Sequence, residues 1–168
     1  QKIKKTNVDI GGQNCHHSVN YGPYTGFVNS KMIKDLGCKY IIIGHSENRS
    51  SGDTNVLINK KIKASISNNL KIIFCIGENI NERKSNKTKK VLSNQISHGL
   101  KNVSNIKNII FAYEPVWSIG TGVIPKTETL RNSIIYVKRI LKKKYNLDNS
   151  VILYGGSVNK NNIKNLRE

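Results

Sequence analysis

The chain is poor in three things that would place it quickly. Cysteine is scarce: Cys15, Cys38 and Cys75 are the only ones in 168 residues. An odd, scattered set with no CxxC pair and no metal-like spacing excludes a disulfide scaffold. It points instead to a reducing, cytoplasmic compartment. Long apolar runs are also missing, and nothing approaches the roughly 18 residues of a membrane-spanning helix. Acidic residues are the third shortage, with 10 Asp+Glu against 28 Lys+Arg and a formal charge of +18.

Such an excess of one sign raises the prospect of a polyanion partner. The lysines are scattered, however, and lack the aromatic interleaving of nucleic-acid grooves. The densest groups are Lys2, Lys4 and Lys5, and Lys142-Lys143-Lys144 at the end of a predicted helix, where cations suit the dipole. Lysine, asparagine and isoleucine are heavy together, which fits a compositional bias better than a binding surface. Neither a nucleic-acid nor a membrane partner is expected. A small anionic substrate would still be drawn by the positive field.

What is present is alternation. Val8-Asp9-Ile10 reads as a short strand ending at Gly11-Gly12, followed by a polar loop through Gly26. The adjacent His16 and His17 on that loop lack partners at ligand spacing, and no metal is expected. Ser30 reads as an N-cap, with Met32, Ile33 and Leu36 behind it and Gly37 as the stop. Tyr40-Ile41-Ile42-Ile43 is a buried strand that delivers His45-Ser46-Glu47-Asn48-Arg49. A helix from about Thr54 to Asn69 carries an apolar stripe of Leu57, Ile58, Ile62 and Ile66. Lys71 to Ile76 is the next strand, ending at Gly77-Glu78. A lysine-rich helical region follows, with Val91, Leu92, Ile96 and Leu100 on one face.

Ile109-Ile110-Phe111-Ala112 is the fourth strand. Glu114 appears where it stops, and Pro115 forbids its continuation. Val116, Trp117, Ser118 and Ile119 follow with no helix or strand period. Gly120-Thr121-Gly122 then closes the stretch with two positions free to take unusual backbone angles. A carboxylate at a strand end, under an apolar loop with one stiff and one flexible end, is the layout of a base beneath a closing lid. Thr127 is a candidate cap for a long helix with Leu130, Ile134, Val137 and Leu141 on one face. Val151 to Tyr154 is the last strand, ending at Gly155-Gly156-Ser157, and Asn159 to Arg167 reads as a short helix.

Strands that are bare apolar runs, without alternation, are parallel strands covered by helices. The polar residues His45, Glu78, Glu114 and Ser157 all stand just after strand ends, which is the barrel rule. A doubly wound open sheet would give the same alternation, so periodicity does not separate the two.

Five stretches together resemble the signature segments of the triosephosphate isomerases, in that family's order and at its approximate spacing. They are Gln13-Asn14 with Tyr24-Thr25-Gly26; Ile42 to Glu47; Cys75-Ile76-Gly77-Glu78; Ala112 to Gly122; and Leu153 to Val158. The resemblance implies a single partial domain over residues 1–168, a (β/α)8 TIM barrel of which about five βα units are present. It implies interconversion of dihydroxyacetone phosphate and glyceraldehyde 3-phosphate through an enediol, in glycolysis and gluconeogenesis, with no cofactor and no metal. Glu114 would be the base and His45 the electrophile, a neutral imidazole at a helix N-terminus. Residues Pro115 to Gly122 would be the lid. The phosphate would rest on main-chain N–H groups near Gly120 and Ser157, with Gly155 and Gly156 permitting close approach. Ser46, Glu47, Glu78 and Tyr154 would support these groups. Asn14 and Thr25 would lie on the loop that reaches the partner in a homodimer. The competing reading on the same fold is another phosphosugar enzyme, which need not keep both His45 and Glu114.

The chain departs from the family in four places. No Asn-x-Lys pair precedes Val8, and no eighth strand with its Gly-Gly turn stands before Glu168. Asn48 replaces the usual second arginine, and Ser50-Ser51-Gly52-Asp53 is one residue short. Pro125 stands where the family often uses an amide N–H to latch the tyrosine matching Tyr154, and proline has no such donor. With Gln1 in place of Met and a helical stretch running to Glu168, both ends read as cuts. The 168-residue chain alone is therefore expected to be inactive and poorly folded. Measurable isomerase turnover by that isolated polypeptide would contradict this.

Overall fold

The computed structural model describes residues 7–160 and 162–166. The predicted basic group Lys2, Lys4 and Lys5, and the predicted helix end at Arg167, lie outside them. Five strands form one sheet: β1 (Gly11–Gly12), β2 (Tyr40–Ile43), β3 (Lys71–Ile76), β4 (Ile109–Tyr113) and β5 (Ile152–Tyr154). Every neighbouring pair is parallel, and the order across the sheet is β1-β2-β3-β4-β5. The helices are α1 (Ser30–Asp35), α2 (Ser46–Ser50), α3 (Asn55–Ser67), α4 (Ile80–Lys84), α5 (Thr88–Gly99), α6 (Thr127–Tyr145) and α7 (Ile163–Leu166).

The unbroken strand order decides what alternation leaves open. A doubly wound sheet reverses its order at a switch point. Here each strand pairs with the one before it, as barrel strands do.

Residues in register across a parallel sheet share a face, and successive residues alternate between faces. Ile41, Ile72 and Ile109 make one row, Ile43, Phe74 and Phe111 the next, and Ile76 and Tyr113 a third. All are buried, against Ile58 and Ile62 of α3, Leu92 and Ile96 of α5, and Val137 and Leu141 of α6. The predicted stripe residues Leu57, Ile66, Val91 and Ile134 flank this core half-buried. Gly99 lets α5 approach closely, because a Cβ there would strike the Phe74 ring. On the opposite face Ile42, Ile73 and Ile110 are only half-buried, and Leu153 is 40% exposed. Bare apolar runs predict cover on both faces; among the described residues the helices cover one.

Several predicted boundaries move by a residue or more. Sheet pairing begins at Gly11 rather than Val8, because Lys39 and Tyr40 both donate to the Ile10 carbonyl where the ladder starts. The cap of α1 is Asn29, whose side chain accepts the Met32 N–H at 2.9 Å. Ser30 is the first helical residue, buried, and donates to Ala64 O instead. Thr127 likewise opens α6 rather than capping it; Lys126 holds the cap position with no side-chain bond. The short helix α2, directly after His45, has no apolar stripe that periodicity could detect.

One buried charge pair lies beneath the loop after β1. Lys61 of α3 is 5% exposed, and its Nζ stands 2.7 and 2.8 Å from the two Asp53 oxygens. It also donates to Asn14 Oδ1 at 3.0 Å, and Asn14 Nδ2 donates to Asn48 Oδ1 at 2.8 Å. The substituted Asn48 and the shortened loop ending at Asp53 thus meet in one network. Removing one partner leaves an uncompensated buried charge. Asp53→Ala is expected to cost about 3–5 kcal/mol in a urea titration of the whole gene product that carries this chain. The double change Asp53→Leu with Lys61→Met is expected to cost less than Asp53→Ala alone.

Candidate functional site

Parallel strands end on the same side of the sheet, so the residues just past them gather at one edge. Glu114 follows β4, and its N–H continues the ladder by donating to Ile76 O at 2.8 Å. Side-chain alternation puts it on the face of Ala112, whose neighbour in register is Cys75. Glu114 is 6% exposed, and Gly155 packs on it so tightly that a Cβ there would lie 2.5 Å from its Cγ. Burial pushes the Glu114 carboxyl above the ordinary carboxylate range, offset in part by the Cys75 thiol, His45, the Ser46 N–H and Arg49.

His45 follows β2 and Gly44, which has φ +80°. It caps α2 with its own ring: Nδ1 accepts the Glu47 N–H at 3.3 Å. A neutral imidazole with Nδ1 accepting carries its hydrogen on Nε2. That Nε2 faces Glu114 Oε1 at 3.7 Å. The Glu47 carboxylate is 3.8 Å from Nδ1 and 85% exposed, too far and too wet to decide the tautomer. Arg49 fixes the frame by donating to Gly44 O at 2.7 Å and Cys75 O at 3.1 Å. The rest of the Arg49 guanidinium goes to Asn55 Oδ1 at 2.8 Å.

Glu78 is fully buried and takes three side-chain donors: the Tyr113 hydroxyl at 3.1 Å, Trp117 Nε1 at 3.1 Å and Arg83 at 3.2 Å. The Arg83 guanidinium also lies over the Trp117 ring, 5.3 Å from its centroid. The Glu78 backbone carbonyl accepts the Val116 N–H at 3.0 Å. The start of the predicted lid is therefore tied to Glu78 twice. The Trp117 indole N–H, within the predicted lid, finds its acceptor in Glu78, one of the residues expected to support the site.

Val116–Ser118 forms one 3-10 turn, and beyond it Gly120 (φ +68°), Thr121 and Gly122 (φ +72°) are exposed. Ser118 is fully buried and contacts the turn after β5 twice. Its Oγ pairs with the Tyr154 hydroxyl at 3.1 Å, and its carbonyl accepts from Ser157 Oγ at 2.5 Å. Gly156 makes room for both, since a Cβ there would collide with each hydroxyl. Pro125 is buried and donates nothing to Tyr154, so the tyrosine's lid contact is Ser118.

The structure thus brings Glu114, His45, Ser46 and Gly155 together. A second group joins Glu78 and the lid start, and a third joins Ser118, Tyr154, Gly156 and Ser157. Asn14 points inward to Lys61 and Asn48, whereas Thr25 lies on an exposed stretch with Tyr21, Tyr24 and Phe27. His16 Nδ1 pairs with Ser18 Oγ at 3.0 Å, and its ring stacks beside Tyr24 and Phe27. Sequence reasoning misses the site contacts of two residues. Cys75 reads as core filling in a buried strand, yet its thiol bonds to Glu114; strand parity with Ala112 is the signal that could have found it. Ser118 has none, because its partners lie 36 and 39 residues away.

The family profile for triosephosphate isomerase matches residues 1–168. The triosephosphate isomerase of Thermodesulfovibrio yellowstonii is 44% identical over 164 residues, which span 96% of this chain and 66% of that protein. That of Mycoplasma mobile is 42% identical over 95% of this chain and 64% of its own length. The crystal structure of the Bartonella henselae triosephosphate isomerase superposes with a TM-score of 0.89 at 33% identity, covering 98% of this chain and 68% of that one. The chain spans about two thirds of the length of the curated relatives it matches.

Because burial raises the Glu114 pKa, the folded state binds that proton more tightly than the unfolded chain. Stability from this group is greatest below the ordinary carboxylate pKa and falls as pH rises through the higher folded value. Glu114→Gln removes the penalty and is expected to raise the melting temperature by a few degrees at neutral pH, with no gain in acid. Thermal unfolding of both proteins across pH checks this.

Proposed function

The chain belongs to the triosephosphate isomerase family, and from that premise we propose that the protein it comes from interconverts dihydroxyacetone phosphate and glyceraldehyde 3-phosphate. The observation that carries the reading is the facing pair of His45 Nε2 and Glu114 Oε1, 3.7 Å apart at the ends of β2 and β4. With a substrate between them, the Glu114 carboxylate takes a proton from the carbon bearing the hydroxyl. His45, with its hydrogen on Nε2, hydrogen-bonds the neighbouring carbonyl oxygen as charge develops there, gives it that proton, and takes one back from the hydroxyl oxygen as the enediol collapses. The resulting enediol is reprotonated on the adjacent carbon by the same Glu114. The proton is borrowed and returned, so neither a metal nor a redox cofactor is called on.

The raised Glu114 pKa suits this role, since a base whose pKa lies nearer neutral pH is a better proton acceptor and donor in turn. The substrate phosphate would sit on main-chain N–H groups near Gly120 and Ser157, where Gly155 and Gly156 clear the way. Its two charges would hold the lid from Pro115 to Gly122 down and keep water from the enediol. The exposed Val19, Tyr21, Tyr24 and Phe27 around Thr25 support a homodimer built on that loop. A cytoplasmic setting fits three free cysteines, and among the described residues no helix is long and apolar enough to cross a membrane.

An isomerase assay on the whole gene product tests this. Glu114→Gln and His45→Ala are each expected to lower kcat by about 10²–10⁴-fold, the usual worth of a positioned acid or base. The acid limb of kcat/KM should report an apparent pKa above that of an ordinary carboxylate. Parental activity in Glu114→Gln would refute the assignment of the base.

A further inference from the structure

Gly77 stands where β3 leaves the sheet, and its two backbone groups turn away from the neighbouring strands. Both are taken by one side chain from another element. Gln95 of α5 accepts the Gly77 N–H on Oε1 at 2.8 Å and donates from Nε2 to the Gly77 carbonyl at 2.9 Å. Gln95 is 9% exposed, and both bonds are buried. The amide supplies one donor and one acceptor at once, so the two Gly77 groups fix which way round the side chain lies.

The corner held this way bears on the site from two sides. The Cα of Gly77 lies against the Glu114 backbone so closely that a Cβ would overlap the Glu114 carbonyl. The next residue, Glu78, holds the lid start through the Val116 N–H and the Trp117 indole. We infer that Gln95 is a positioning residue: its amide clamp on Gly77 sets the seat of the Glu114 backbone and the anchor of the lid. Gln95 itself does not touch Glu114. Without the clamp, two buried backbone groups lose their partners, and the corner rotates to find others. This inference rests on the isomerase reading for its kinetic consequence, but not for its structural one.

Two variants of the whole gene product test it. Gln95→Leu removes both bonds and is expected to lower kcat about 10–100-fold, the scale of a small misplacement of reacting groups, with KM nearly unchanged. Gln95→Glu keeps the donor and acceptor only while protonated. Its kcat relative to the parent is therefore expected to approach unity in mildly acidic buffer and to fall as pH rises. Trp117 is the sole tryptophan of this chain, and the emission lost in matched Trp117→Phe backgrounds isolates its signal in the whole gene product. That signal reports the Glu78 corner whether or not the protein turns over triose phosphates. Emission should shift in Gln95→Leu and shift with pH in Gln95→Glu, at temperatures where both remain folded. If Gln95→Leu does not fold, the pH dependence of Gln95→Glu decides. Parental kcat and emission in a folded Gln95→Leu, or a Gln95→Glu whose ratio to the parent ignores pH, would overturn the inference. A parent that is not an isomerase would refute the proposed function and leave the emission test standing.

Discussion

The end of β4 occupies space that a Cβ on Gly77 would need, and the site follows from that contact. It lets the Glu114 N–H reach Ile76 O at the end of the ladder, with the Glu114 carbonyl packed beneath Gly77. It also brings Glu78 level with the lid, so that one carboxylate faces His45 and the carboxylate of the neighbouring strand faces the lid. A side chain at Gly77 would separate β3 from β4 at the point where chemistry is proposed. Gly155 repeats the device on the other side of Glu114. Glu114 is therefore held between two residues that have no side chain.

Glu78 and Glu114 are both buried carboxylates, but their surroundings differ in kind. Glu78 is met by a guanidinium, a phenol and an indole N–H, an arrangement that holds position. Burial, with Glu78 beside it, pushes the Tyr113 hydroxyl well above the usual phenol range, so that it remains a donor. Glu114 has instead a thiol, one amide N–H and a ring nitrogen at 3.7 Å. The Cys75 thiol, raised by burial and then by Glu114, stays protonated and so donates without adding charge. A buried carboxylate whose charge is met in this way is costly to the fold, and that cost suits Glu114 to the role proposed for it.

The basic composition has little to do with this architecture. Lys61 is buried because Asp53 and Asn14 receive it, whereas Lys142, Lys143 and Lys144 lie exposed in the last turn of α6. The asparagine bias is put to structural use. Asn69, Asn86, Asn102, Asn105 and Asn146 all take left-handed backbone angles, mostly just past helices, where glycine is the commoner choice.

Sequence alone determined the order of the longer elements, because β2 to β5 are unmistakable apolar runs and each long helix carries its own stripe. It also determined which residues stand at strand ends, so His45, Glu114, Glu78 and Ser157 are legible from their place in the chain. Those are local properties of a chain that alternates between periods of 2 and 3.6 residues. Only the tertiary structure decided that the strands follow one another without a switch point, since pairing is a relation between segments that have the same local pattern. It alone decided that the Trp117 indole meets Glu78, that the Cys75 thiol meets Glu114, and that Ser118 takes the contact Pro125 cannot make. It alone paired Gln95 with Gly77. Each of these joins residues 18 to 39 positions apart through a hydrogen bond or a contact whose donors and acceptors are common to many residue types. Nothing in their spacing marks them; only the packing of α5 on β3, the registers of β3 against β4 and of β4 against β5, and the missing side chains that permit them bring them within reach.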